Sequence, residues 1–194
     1  RHRMITMKTR FYKARFALSF VFFALFAMSE LSVQAQTQDP VVLTDDQNEY
    51  PLGLHIALLE DPAGQLTIED VSSPEFNQQF TTNETTDLNL GLVDTTYWVR
   101  FPVRNETGYA NEWWLQIPAF ELKDVSIYFP SPDGSPGYEM KQSGNAFPVE
   151  DKDTRHYYPT FQIPIPLEVE QMIYLRVESR RINLPLTLWS TSGF

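Results

Sequence analysis

The sequence of 194 residues contains no cysteine. This absence excludes disulfide bonds, zinc sites built on thiolates and catalytic thiols. The sequence also lacks a phosphate-binding loop, a zinc-binding histidine motif and the nucleophile elbow of hydrolases. A domain of this composition must be held together by its apolar core, and no common catalytic motif marks it as an enzyme.

Basic residues are scarce outside the N-terminal segment. The whole sequence has 15 basic and 25 acidic residues, and segment 1–35 contains six of the basic residues and one acidic residue. Residues 36–194 therefore keep nine basic and 24 acidic residues, a formal charge of −15. Because such a surface is repelled by nucleic acid and by anionic lipid, we predict that nucleic acid is not a partner.

Only one long, mainly apolar run occurs, at residues 16–28. Basic residues precede it between positions 8 and 15, and Val33 and Ala35 follow at the spacing of a cleavage site. At about 1.5 Å per residue the run reaches ~20 Å, which is short of the ~30 Å hydrocarbon core of a bilayer. This order predicts a cleaved signal peptide over residues 1–35 and an exported, periplasmic domain over residues 36–194, with an uncleaved membrane anchor as the alternative.

Helical periodicity is also missing, apart from one predicted turn at 67–71 with Thr67 as its N-cap. Apolar and polar residues instead alternate with the period of two that is typical of strands. Segment 72–87 is polar and predicts a loop or an edge covering. The pattern indicates an all-β fold of two packed sheets with about eight antiparallel strands. Strands are predicted at 41–44, 95–105, 111–118, 123–130, 138–142, 144–150, 155–166, 171–179 and 183–189.

The strand at 95–105 has two different faces. A buried face is predicted at Tyr97, Val99, Phe101 and Val103, whereas Trp98 and Arg100 lie on the opposite face. A large aromatic ring beside a guanidinium suits a flat polar ligand such as a sugar. The alternative is structural, with Arg100 paired to an acid such as Glu178 and Trp98 packed under a loop.

Similar residues recur on later strands. Arg176 and Glu178 lie on the outward face of strand 171–179, and Tyr128 lies on that of strand 123–130. If these strands are neighbours of strand 95–105, the faces merge, although cross-strand ion pairing explains the charged residues equally well. His156 can sense pH or bind a metal, with a structural role as its alternative. The predicted ligand-binding set is Trp98, Arg100, Tyr128, His156, Arg176 and Glu178.

The acidic residues offer two further possibilities. Glu150, Asp151 and Asp153 form a cluster, but calcium needs six to eight oxygens and such a cluster is more often solvated. We therefore predict no metal and no cofactor. A pair of carboxylates suited to sugar hydrolysis stays open, because nothing in the sequence singles one out.

Several short segments follow one another in the order of a known domain family. They are Tyr97-Trp98-Val99-Arg100-Phe101, Leu122-Lys123-Asp124-Val125-Ser126-Ile127-Tyr128, Ser143-Gly144-Asn145-Ala146, Tyr174-Leu175-Arg176-Val177-Glu178-Ser179 and Leu184-Pro185-Leu186-Thr187-Leu188-Trp189. In this order they resemble the type 2 extracellular domain of bacterial seven-transmembrane receptors with diverse intracellular signalling modules. The resemblance extends over residues 50–194.

This resemblance implies a jelly-roll-like β-sandwich similar to carbohydrate-binding modules. It also implies a periplasmic location, a seven-helix membrane region after the domain, and a cytoplasmic output module, commonly a histidine kinase or a diguanylate cyclase. It carries over no established ligand residues. The resulting prediction is a non-enzymatic sensor domain, tethered to the inner membrane in the full-length receptor, that binds a small polar or carbohydrate-like ligand. The alternatives are a protein-interaction or dimerisation module, including a homodimer, and a glycan-active enzyme.

Overall fold

A computed structural model describes residues 38–148 and 156–194. The predicted signal peptide and the acidic cluster at 150–153 lie outside these residues. The described part consists mainly of short strands, with one α-helical turn and two 3-10 turns, Gly53–His55 and Asn77–Gln79. The elements are β1 (Val41–Leu43), β2 (Glu49–Pro51), β3 (Ala57–Asp61), α1 (Ile68–Val71), β4 (Thr81–Thr82), β5 (Leu88–Leu92), β6 (Thr96–Asn105), β7 (Glu112–Gln116), β8 (Asp124–Pro130), β9 (Tyr138–Ser143), β10 (Thr160–Pro164), β11 (Glu170–Glu178), β12 (Arg181–Leu184) and β13 (Thr187–Ser190).

The strands form two main sheets. The large sheet has the order β4-β3-β6-β11-β8-β9, and β1 adds to β6 in parallel. The small sheet has the order β10-β7-β13-β2, and β12 pairs with β5 in a separate ribbon. The inner faces of the two sheets contribute to one apolar core, with Phe101 and Leu175 from the large sheet and Trp113 and Phe161 from the small one. This arrangement confirms the predicted all-β sandwich.

Two predicted strands differ from the structure because of single residues. Residues 144–147 form a turn rather than a strand, since Gly144 has a φ of +126° and lies directly against the carbonyl of Lys123. The predicted strand at 183–189 is divided at Pro185, which cannot donate a ladder hydrogen bond. Its two halves, β12 and β13, pair in different sheets.

The connection between β3 and β4 confirms the prediction for 67–71 and for the segment that follows it. Thr67 caps α1, because its hydroxyl accepts a hydrogen bond from the backbone of Asp70, whose carboxylate accepts one from the backbone of Thr67. Ile68 and Val71 of this helix are buried against the outer face of the large sheet. We name residues 62–80 the covering segment.

Asn105, at the end of β6, is fully buried and uses its whole side-chain amide. Its Nδ2 donates to the carbonyls of Ala110 (2.6 Å) and Ile165 (2.7 Å). Its Oδ1 accepts from the backbone N–H (3.0 Å) and the hydroxyl (2.7 Å) of Thr107. The side chain thereby ties β6 to two connections that are distant from each other in sequence.

Candidate functional site

The outer face of the large sheet brings together five of the six predicted ligand-binding residues. Strand β11 pairs antiparallel with both β6 and β8, so the three strands are neighbours. Arg176 lies opposite Trp98, and Tyr174 lies opposite both Arg100 and Tyr128. The predicted merging of the outward faces is therefore confirmed.

Most of this face is covered rather than open to solvent. Trp98 is 0% exposed and Arg100 is 5% exposed, because the covering segment packs apolar side chains such as Val71 and Phe80 onto them. We name Trp98, Arg100, Tyr128 and Tyr174 the covered face. The structural alternative applies to Trp98, which does pack beneath a loop. Whether the covered face also binds a ligand stays a prediction.

The contacts of Arg100 differ from the structural alternative of an ion pair with Glu178, because Glu178 pairs with Lys123 and Arg176 in the described part of the chain. Its Nη1 donates to Oδ1 of Asn77, and its Nη2 donates to the carbonyl of Asn77 at 3.1 Å. The guanidinium carbon lies 4.0 Å from the ring centroid of Phe80, a cation–π distance. Burial lowers the pKa of Arg100, and its Nε has no acceptor within the described part of the chain.

Tyrosine rings complete the covered face. The ring of half-buried Tyr128 lies 5.4 Å from Trp98, and Tyr174 contacts the rings of Phe80 and Tyr138 at 6.3 and 5.6 Å. Burial raises the pKa of Tyr128 and raises that of Tyr174 to about 12. Both hydroxyls are therefore protonated at neutral pH and act as neutral hydrogen-bonding groups.

Beside the first residues of the covering segment, the same face ends in an open cleft of about 480 Å³. Glu178 contacts two cations there: Oε1 pairs with the ammonium of Lys123, and Oε2 lies 3.6 Å from Nη2 of Arg176. The hydrogen bond from Lys123 is the main cause of the lowered pKa of Glu178. The same Nη2 of Arg176 reaches the carbonyl of Gly64 at 3.4 Å. The cleft is lined by Pro62, Ala63, Gly64, Val93, Asp94, Thr95, Thr96, Lys123, Arg176, Glu178, Ser179 and Arg180.

Both the covered face and the cleft lie inside one family match. Residues 53–190 match the family described as 7TMR-DISM extracellular 2. The chain belongs to this family. It is a family of extracellular sensor domains of membrane receptors, so the receptor-domain prediction is confirmed at this level.

Other comparisons add little about this 7TMR-DISM extracellular 2 domain. The crystal structure of the enzymatically active domain of bacteriophage CBA120 tailspike protein 4 (TSP4dN, orf213) is similar with a TM-score of 0.36 and 11% sequence identity. That match covers 74% of this chain and 21% of the tailspike chain. It supports no conclusion about function at this level of similarity. No curated protein matches the chain.

His156 is separate from the other predicted ligand-binding residues of this 7TMR-DISM extracellular 2 domain. Its ring lies 5.1 Å from that of Phe194, which stacks on Trp114 of β7 at 4.9 Å. His156 lines neither the cleft nor the covered face. Across residues 38–148 and 156–194, no three histidine or acidic residues are grouped as a metal site, and no helix has the length and apolar character to cross a bilayer.

Sequence reasoning did not single out two features of this 7TMR-DISM extracellular 2 domain. One is Lys123, which lies beside β8 and pairs with Glu178 of β11. The other is an exposed aromatic cluster of Phe120, Tyr157 and Tyr158, whose rings lie 4.7–5.9 Å apart. Phe120 and Tyr157 are 54% and 78% exposed. Both features depend on contacts between distant segments, which strand periodicity does not encode.

Proposed function

We propose that this domain is the ligand-sensing part of a bacterial membrane receptor and that a small polar ligand binds in the cleft. The observation that carries this proposal is the convergence of Arg176, Glu178 and Lys123 on an open volume of about 480 Å³. Volumes of about 300–1,000 Å³ with a few convergent polar groups are typical of small-molecule sites. Two of the three side chains belong to the set predicted from the sequence.

The lining indicates the chemistry of the ligand. Arg176, Lys123 and Arg180 supply donors, and Glu178 and Asp94 supply acceptors around the same opening. Hydroxyl groups donate and accept at once, so a polyhydroxylated, carbohydrate-like molecule matches such a mixed lining. Among the described residues that line the cleft none is aromatic, so binding to them depends on hydrogen bonds rather than on ring stacking.

Sensing requires that the ligand binds more tightly to one conformation than to another. In the cleft, Glu178 already bridges Lys123 and Arg176, and a ligand that bonds to these cations competes with the bridge. Arg176 also reaches Gly64 of the covering segment, so its rearrangement affects that contact. We propose that this change biases the membrane region and the output module of the full-length, periplasmically exposed receptor.

The arrangement favours binding over hydrolysis. A glycosidase needs one carboxylate free to attack or activate water and a second that donates a proton. In the cleft, both oxygens of Glu178 are engaged by cations. Asp94 supplies a second carboxylate at the opening, whereas Asp124, which lies opposite Glu178 in the sheet, is not among the lining residues. We therefore favour a sensor without catalytic activity over the glycan-active alternative.

The test measures the melting temperature of residues 36–194 in the presence of neutral monosaccharides and of their uronic acids. A bound compound raises the melting temperature, because it stabilises only the folded state. We expect Arg176→Ala and Glu178→Gln to lose most of this shift, and Arg104→Ala to keep it. Arg104 is a matched control, since it forms an exposed ion pair with Glu106 at 2.7 Å. Equal shifts in all variants would place the ligand elsewhere.

The aromatic cluster supports a second candidate function, self-association. Exposed aromatic side chains are enriched at protein interfaces and rarely form an isolated patch on a monomer. The cluster adjoins a smaller cleft of about 300 Å³ that includes Phe120 and Arg181. If it joins two copies of the domain, light scattering of residues 36–194 shows a dimer that the double variant Phe120→Ser/Tyr157→Ser converts to a monomer. A monomeric wild-type domain at high concentration would exclude this candidate.

A further inference from the structure

Arg100 is a buried cation without an acidic partner. Arg104, Arg176 and Arg181 each lie within 4 Å of a glutamate, whereas Arg100 contacts no carboxylate in residues 38–148 and 156–194. Removing a guanidinium from water costs free energy that a neighbouring anion ordinarily offsets. Arg100 is 5% exposed and receives no such compensation. Its partners are neutral instead: Asn77, the ring of Phe80 and the hydroxyl of Tyr174.

Two groups of the covering segment occupy the place of such an anion. Asn77 offers its side-chain and backbone oxygens to the two terminal nitrogens of Arg100. These are the two donors that a planar carboxylate binds in bidentate fashion. The ring of Phe80 lies over the guanidinium at 4.0 Å. Asn77 and Phe80 together thus imitate a carboxylate that carries a flat apolar ring, but without the negative charge.

Two donors on the same face have no acceptor among residues 38–148 and 156–194, as is also true of the indole N–H groups of Trp113 and Trp189. The two donors on this face are Nε of Arg100 and Nε1 of Trp98, both enclosed by the covering segment. Buried donors without partners are rare in folded proteins, because the lost hydrogen bond to water is not replaced. Trp98 and Arg100 are two residues apart on β6 and therefore share one face. An oxygen-rich ligand at Arg100 would supply an acceptor for these groups.

We propose that Arg100 anchors a second ligand site, for a small carboxylate bearing a flat ring, and that Asn77 and Phe80 occupy this site when the ligand is absent. The proposal goes beyond the cleft and does not require the cleft to bind anything. The carboxylate replaces the two oxygens of Asn77, and the ring of the ligand replaces that of Phe80. The binding of the ligand is thereby coupled to displacement of this part of the covering segment.

The exchange requires the 3-10 turn Asn77–Gln79 and the buried ring of Phe80 to move. The 3-10 turn has no buried residue, whereas Phe80, which follows it, is 6% exposed and contacts the ring of Tyr174. The preceding part of the covering segment is fixed separately, since the carboxylate of Asp61 accepts from the backbone of Gln65 (3.2 Å) and Leu66 (3.0 Å). The turn can therefore open while α1 stays docked.

Opening of the turn is testable without a ligand, because the chain has no native cysteine. Ala57 lies opposite Arg100 on β3 and is buried under the covering segment. Val177 is buried in the main core on the inner face of the same sheet. In native buffer we expect a thiol reagent to modify Ala57→Cys at least tenfold faster than Val177→Cys, which reports global unfolding. Equal rates would show that the face opens only when the domain unfolds and would overturn the proposal.

Binding is tested with benzoate and with benzamide, which has the same shape but no charge. In calorimetry we expect residues 36–194 to bind benzoate in preference to benzamide, and Arg100→Met to lose this preference. Asn77→Ala removes the side-chain oxygen of the internal competitor and leaves its backbone carbonyl, so it should tighten benzoate binding about tenfold, the worth of one charge-assisted hydrogen bond. Gln79→Ala in the same exposed turn is the control and should leave the affinity unchanged.

The outcomes separate this site from the cleft. Arg176→Ala should retain benzoate binding and lose only the sugar-dependent shift. If Arg100 has only a structural role, no variant should bind benzoate and Asn77→Ala should not increase the affinity for benzoate. Either result would overturn the proposal of a second site. In that case a sugar response that depends on Arg176 would still support the proposed function. If Arg100→Met does not fold, the comparison of Asn77→Ala with Gln79→Ala decides the question alone.

Discussion

Two carboxylates at the open end of the large sheet differ in their surroundings although they lie directly opposite each other. Burial is the main cause of a raised pKa for Asp124, with repulsion from Glu178 as a smaller contribution. Lys123 is the main cause of a lowered pKa for Glu178. Ionisation of Asp124 therefore destabilises the folded state, and ionisation of Glu178 stabilises it.

These shifts predict opposite pH dependences for two isosteric variants. Well below pH 3.8, Asp124 is protonated in both the folded and the unfolded state and does not affect stability. As the pH rises through the raised pKa of the folded state, its ionisation lowers the free energy of unfolding. Asp124→Asn should thus be more stable than wild type at pH 7 and equal to it at low pH. Glu178 stabilises the folded state above pH 4.5, and this contribution is lost as the pH falls through its lowered pKa. Glu178→Gln should therefore be less stable than wild type at pH 7. Urea unfolding across this pH range measures both differences, and two differences of the same sign would contradict the assignment.

At the scale of elements, the alternation of side chains predicted most strands from β6 onward and their faces, but it did not predict β2, β3, β4 and β5 or the contacts that cover the outer face. Alternation with a period of two shows which side chains share a face of the sheet, but not whether that face is open to solvent. The sequence around Trp98 is therefore compatible with an exposed and with a covered side chain. The cover is supplied by a polar stretch in which a few apolar residues, among them Phe80, make the contact. The helical turn capped by Thr67 and a loop or edge covering at 72–87 were predicted there, but the packing of this covering on Trp98 was not.

The turn after β9 gives a prediction at this scale. A Cβ on Gly144 would lie 2.5 Å from the carbonyl oxygen of Lys123, and its φ of +126° disfavours any side chain. Gly144→Ala should therefore lower the free energy of unfolding by about 2–4 kcal/mol. Gly134, in the turn between β8 and β9, has a φ of +77° with nothing within 4 Å, so Gly134→Ala should cost only about 1–2 kcal/mol. Chemical denaturation of the two variants distinguishes steric contact from backbone conformation alone, and equal costs would rule out the contact.

At the scale of the whole molecule, composition and the order of motifs were sufficient to predict the fold class and the family. They were insufficient to place the ligand, because a binding site depends on which polar groups are left without partners after packing. Arg100 illustrates the difference. Its position on the outward face was predictable, whereas its lack of a carboxylate could be recognised only from the contacts that surround it.

The charge of residues 36–194 also acts on the whole domain. A formal charge of −15 makes the folded state repel itself more than the expanded chain does, and salt screens this repulsion. We expect the melting temperature of residues 36–194 to rise as sodium chloride is increased from low to physiological concentration. The few ion pairs between exposed side chains, such as Arg104–Glu106, oppose this trend only weakly. A melting temperature that falls with salt would show that local ion pairs outweigh the net charge.

The buried amide of Asn105 has a consequence for an exported protein. Its four hydrogen bonds join β6 to the connections at 106–110 and 165–168, a tertiary link of the kind that a disulfide provides in other exported domains. Such a link forms without an oxidant and is not broken by a reductant. The domain can therefore reach and keep its native state whatever the redox potential of its compartment, and needs no thiol oxidase or isomerase to do so.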